Sequence, residues 1–102
     1  MPWHRKRRFI DQEYHNHIFK PVSIPMSQLP KVSIGHDEME ALKLVDLEHM
    51  RQSDAAEKMG ISPATIQRIV EATREKLVKA LIEGHAIIIE GGDYKIKKLE
   101  EF

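Results

Sequence analysis

The sequence predicts a mainly α fold, a tri-helical helix-turn-helix domain with an extended N-terminal arm and a C-terminal β-hairpin. Three observations predict it. Between Gln52 and Val70, the stretch QSDAAEKMGISPATIQRIV holds two helical patterns separated by the punctuation of a tight turn. Ahead of it, Met39, Ala41, Leu42, Leu44, Val45 and Leu47 form an apolar stripe at helical spacing. After Gly84 the period shortens to that of a strand, and Gly91-Gly92 divides two short runs. The expected organisation is an arm over 1–30, the domain with its flanking short strands over 31–97, and a tail over 98–102.

The arm, residues 1–30, has little helical periodicity and carries Pro2, Pro21, Pro25 and Pro30, which favour extended or turn backbone. Its tip places Arg5, Lys6, Arg7 and Arg8 beside Trp3, a combination suited to a phosphate track or to reaching into a minor groove. A solvated terminus is the competing reading. His15 and His17, with His4 nearby, are not read as a metal site, because no third and fourth ligand accompanies the alternating pair at characteristic spacing. Lys31-Val32-Ser33-Ile34 alternates polar and apolar and reads as a strand.

Helix one is expected from His36 to His49. Gly35 serves as N-cap and Glu38 stands at N3, while Asp37 and Glu40 lie near the positive end of the helix dipole. Its wide stripe predicts packing on both later helices. Helix two begins near Arg51 to Asp54, a boundary left open because Arg51 is a poor cap. Ala55 and Ala56 are small where helices approach, and Gly60 follows Met59 where a left-handed residue ends a helix. Ile61 fills the corner.

Ser62 then caps helix three, with Pro63 at N1, where a missing N–H costs nothing. Ile66, Ile69 and Val70 repeat at helical spacing, which leaves Ala64, Thr65, Gln67 and Arg68 outside. The pattern runs on through Thr73, Leu77, Ala80 and Leu81 to Gly84, roughly 33 Å at the helical rise. Only its first turns could enter a groove; the remainder suits packing or dimerisation, with Arg74 in reach of a phosphate. Ala86 to Glu90 and Asp93 to Lys97 read as a hairpin about Gly91-Gly92. Its Ile-rich strand would aggregate if left open, so it is expected to pair with Lys31 to Ile34, with a second subunit, or with both.

Composition narrows the class of function. With 102 residues and no Cys, one domain with a modest core is expected, and disulfides, thiolate zinc and a Cys nucleophile are excluded. No export signal follows the basic start, since Asp11-Gln12-Glu13 stands where an apolar run is required. No stretch is apolar enough to span a membrane, so a soluble cytoplasmic protein is expected. Formal net charge is zero, yet cations dominate before residue 32 and carboxylates dominate helix one. No Gly-rich phosphate loop or paired His and carboxylate points to an enzyme, and no cofactor or metal is expected.

DLEHMRQSDAAEKMGISPATIQRIVEATREKL, residues 46–77, resembles the helix-turn-helix of sigma-factor region 4. Four blocks in order are similar to those of one small bacterial and archaeal family: FKPVSIP, DEMEALKLVDLE, the helix-turn-helix, and ALIEGHAIIIEGGDY. That family is catalogued as uncharacterised proteins with predicted DNA binding. The resemblance implies that Thr65, Gln67 and Arg68 begin a recognition helix, and that Gln52 and Ser62 touch the DNA backbone. Arg51 departs from the Ser or Thr cap usual there.

The expectation is a sequence-specific DNA-binding transcriptional regulator, a homodimer on two half-sites of double-stranded DNA about one turn apart. Gln67 suits adenine, Arg68 guanine, and Thr65 a thymine methyl or a phosphate. The face has few cations, so affinity is assigned to Arg5, Lys6, Arg7 and Arg8 and to dimerisation through helix three or the hairpin. The alternative, favoured by zero net charge, is an adaptor that docks on RNA polymerase or another regulator.

Overall fold

Gly60 and Gly84 lie in the left-handed region, with φ of 73° and 71°, and each ends a helix where the sequence places a stop. They belong to a computed structural model that describes residues 7–14 and 17–96. The helices are α1 (His36–Leu42), α2 (Gln52–Met59) and α3 (Pro63–Glu83). The strands are β1 (Arg8–Ile10), β2 (Ile18–Phe19), β3 (Lys31–Ile34), β4 (Ala86–Ile89) and β5 (Tyr94–Ile96). Among the described residues no helix is long and apolar enough to cross a membrane.

Helix one is shorter than expected. After Leu42 the chain widens into a π turn, Lys43–Leu47, where the Glu48 N–H reaches the Lys43 carbonyl at 2.8 Å. His49, with φ of 58°, closes it. The wider turn rotates the end of the stripe: Leu44 is fully buried, but Leu47 is 72% exposed and adds nothing to the core. The N-terminal reading holds, because Glu38 accepts the Gly35 N–H at 2.8 Å as a capping box requires. Arg51 is the N-cap of α2 and makes no side-chain cap bond, which settles that boundary at Gln52.

The expected hairpin does not form. β4 pairs in parallel with β3, Ile34 opposite Ile89, as the strand-pairing expectation allowed, and antiparallel with the two residues of β2. β5 instead leaves to pair in parallel with β1, Arg8 opposite Tyr94. The reason lies at the start of α1. The Gly91 carbonyl accepts the His36 N–H at 2.9 Å, one of the orphan donors of a helix end. A Cβ on Gly92 would sit 2.5 Å from Asp37 Oδ1, so this glycine serves close approach rather than a reversal.

Two cores result. One gathers Ala41, Leu44, Ala55, Ala56, Met59, Ile66, Ile69 and Val70 from the helices, together with Ile10. The other joins Ile34 and Ile87 of the sheet to Ala80 of α3. The segment expected to be an arm is extended, but two parts of it are strands and Ile10 is built into the helical core. Its apolar side chain gains more from burial than a solvated arm could return.

A polar cluster holds the same segment down. Glu40, completely buried, accepts from the Tyr14 hydroxyl and from the Asp11 N–H at 3.3 Å, with Lys43 Nζ 3.5 Å away. The Tyr14 N–H bonds His36 Nδ1 at 2.9 Å. Burial first, and then the Glu40 carboxylate, raise the Tyr14 phenol above its ordinary 10.0. Partial burial opposes the Lys43 charge, but Glu40, Tyr14 and Asp11 outweigh it and raise Lys43 above 10.5. Folding therefore favours the protonated form of both, a contribution complete below pH 10 and lost as pH rises through the folded values. Urea midpoints are expected to fall above pH 10, and less steeply in Tyr14→Phe; equal slopes would disprove this assignment.

Candidate nucleic-acid interface

The start of α3 is locked by its own sequence. Ser62 Oγ accepts the Thr65 N–H at 3.1 Å and lies 2.8 Å from Thr65 Oγ1, while Pro63 occupies the first turn. Ile66, Ile69 and Val70 face inward against α2 and the π turn, so Ala64, Gln67 and Arg68 face solvent and Thr65 is half-buried. Gln67 Nε2 donates to Glu71 at 3.2 Å, and Arg68 reaches Thr65 Oγ1 at 3.4 Å. Both bonds are exposed and long, so a base edge could replace them at little cost. Gln52 is exposed at the beginning of α2.

Of the basic cluster, the structure describes Arg7 and Arg8. Arg5 and Lys6 lie outside the described residues; Arg7 is exposed. Arg8 is turned inward, its guanidinium on the carboxylate of Asp37, whose side chain is only 4% exposed. The pair supplies a cation to Asp37, whose burial alone would be costly. Arg74 is likewise engaged, with Nε and Nη2 on Asp46 at 3.0 and 2.6 Å. That bidentate bond holds the Asp46 carboxyl below its usual range.

Beside the exposed face of α3 opens a cleft of about 610 Å³. Thr65 and Arg68 line one side; Asp37, Glu38, Glu90 and Asp93 line another. Arg8 balances Asp37 and Lys76 balances Glu38, with Nζ 2.9 Å from Oε2. Glu90, which accepts the Ser33 hydroxyl at 2.7 Å, lies on the same flank. The sequence offered no sign of this wall, since its carboxylates come from α1 and from the 90–93 loop and meet only on folding. Their one local clue was the density of acids at the start of α1.

This chain is 43% identical over 94 residues to a UPF0251 protein of Halothermothrix orenii, covering 92% of this chain and 70% of that protein. A UPF0251 protein of a Thermoanaerobacter species is 40% identical over 101 residues, 99% of this chain and 89% of the relative. An archaeal UPF0251 protein, from Methanococcus vannielii, is 43% identical over 94 residues, 92% and 72% of the two chains. No solved structure matches. The model of one family, described as "Protein of unknown function DUF134", matches residues 2–97, so the three helices, both sheets and the acidic wall all fall within it, and the chain belongs to that bacterial and archaeal family.

Proposed function

We propose that the protein is a sequence-specific DNA-binding regulator of transcription, in which α2, the Gly60 turn and α3 act as a sigma region-4-like helix-turn-helix and a dimer reads double-stranded DNA. One observation carries the reading: the first two turns of α3 hold Ala64, Gln67 and Arg68 in solvent, while Ile66, Ile69 and Val70 are fixed in the core. A rigid helix with a short polar face at its N-terminal end suits the major groove. Arg51 and Gln52 flank the start of α2, where no side chain caps the helix, a placement suited to a phosphate. Cytoplasmic location goes with this role.

The experiment is selection of bound fragments from random DNA, followed by binding titrations on the recovered site. Gln67→Ala and Arg68→Ala are each expected to weaken that site by about 1–3 kcal/mol, roughly 5- to 150-fold, and to relax preference at one position. Unchanged affinity in both variants would overturn the recognition face. A second reading, an adaptor that docks on RNA polymerase, draws on the zero net charge and the acidic wall. Affinity for random DNA that does not fall with salt would favour it.

A further inference from the structure

Three segments of the chain meet on one imidazole. His36, the first residue of α1, is only 6% exposed. Its Nδ1 accepts the Tyr14 N–H at 2.9 Å, and its backbone N–H is held by the Gly91 carbonyl. The ring lies nearly parallel to that of Tyr14, with 6.3 Å between centres and 15° between planes, and meets that of Tyr94 edge-on at 5.3 Å. A ring nitrogen that accepts from an N–H carries no proton of its own. In this contact the imidazole is therefore neutral, with its proton on Nε2.

We infer that His36 is a pH-sensitive clasp: a proton on Nδ1 turns the acceptor into a donor that faces the Tyr14 N–H, and residues 11–14 then come away from α1 while the three helices stay assembled. The inference stands apart from the DNA-binding reading. Each closed molecule keeps Nδ1 bare and an open one can take a proton there, so falling pH favours the open form.

The charged and titratable groups around the clasp are Asp11, Glu13 and Tyr14 of the N-terminal segment, Arg8 of β1, Asp37, Glu40 and Lys43 of α1 and the π turn, and Asp93 and Tyr94 at the start of β5. Their carboxylates are matched elsewhere. Asp37 holds Arg8 and the Asp93 N–H, Glu40 holds the Tyr14 hydroxyl and Lys43, Glu13 holds the Tyr94 hydroxyl, and Asp11 holds Lys43 and Lys58 at 3.2 Å each. None of these bonds replaces the one that a protonated Nδ1 gives up. Ile10 stays in the helical core, so β1 remains the anchor when the clasp opens. Opening takes Asp11 off Lys43 and Lys58, and lifts Tyr14 from a hollow of about 430 Å³ that it lines with Met39, Leu42 and Leu47.

Hydrogen exchange of the full chain, read residue by residue in nuclear magnetic resonance spectra, tests the clasp in the window above the carboxylate range. After correction for the intrinsic pH dependence of exchange, the Tyr14 amide is expected to lose protection roughly tenfold between about pH 7.5 and 5.5. The Ile66 amide, bonded to the Ser62 carbonyl at 3.1 Å, should keep its own. His36→Asn, whose Oδ1 keeps an acceptor near the place of Nδ1 and takes no proton there, should hold Tyr14 equally at both ends of the window. In the wild type the imidazole should carry its proton on Nε2 at the upper end, and should titrate together with the loss at Tyr14. Unchanged protection of Tyr14 in the wild type, the same loss in His36→Asn, or a matching loss at Ile66 would overturn the inference. An imidazole that titrates while Tyr14 stays protected would overturn it as well, whether or not the Asn variant folds.

Discussion

Ile10→Ala is expected to lower the free energy of unfolding by about 3 kcal/mol, in the range of large-to-small changes at buried sites. Ile10 is 1% exposed and packs in the same cluster as Leu44, Met59, Ile66 and Val70, so truncation removes apolar contacts on several sides at once. For a domain of this size the loss corresponds to a fall of roughly 15 °C in thermal midpoint. Urea denaturation followed by circular dichroism measures it. Val22→Ala provides the contrast within the same stretch: Val22 is 96% exposed, and its change should stay within about 0.5 kcal/mol. Equal effects at the two positions would show that Ile10 does not belong to the core.

Glu40→Ala should be comparably severe, at about 3–4 kcal/mol, because it removes one member of a buried polar group and strands the others. The Tyr14 hydroxyl and the Asp11 N–H would lose their acceptor, and Lys43 would lose the carboxylate 3.5 Å from its Nζ. Glu40→Gln keeps an acceptor oxygen and loses only the charge, so about half the penalty is expected. Tyr14→Phe should cost less again, near 1 kcal/mol, as the carboxylate retains Lys43 and the Asp11 N–H. The ordering Ala, Gln, Phe is the test, read from urea midpoints at neutral pH. Equal losses for Glu40→Ala and Glu40→Gln would mean that packing, and not the hydrogen bonds, sets the effect.

What could be read in advance was whatever the chain specifies over a few residues. Gly60, Ser62 and Pro63 define a turn by their own backbone preferences, and the structure has the left-handed residue, the capped donor and the N1 proline there. The interval between Ile66, Ile69 and Val70 likewise fixed which side of α3 faces out. Distant partners were not legible. Gly91-Gly92 fits a reversal and a close approach equally well, and the choice was made by Asp37, far away in the chain. Ile10 and Phe9 are two apolar residues between polar runs, with no period to show which of them is built into the core. Arg8 had the local signature of an exposed cation, and only folding supplied the carboxylate that turns it inward. The π turn escaped because an extra residue per turn leaves the apolar pattern almost unchanged until Leu47.

The pairing of β1 with β5 sets an order of events during synthesis. β1 is made before the helices, and its partner, centred on Lys95, is made after them. Until that late segment leaves the ribosome, the early strand has no edge to bond and Arg8 has only part of its final surroundings. β1 also packs on α1 and α2, so Ile10 can join the helices before β5 is made, and the β1–β5 pairing has the greatest loop to close among the described strands.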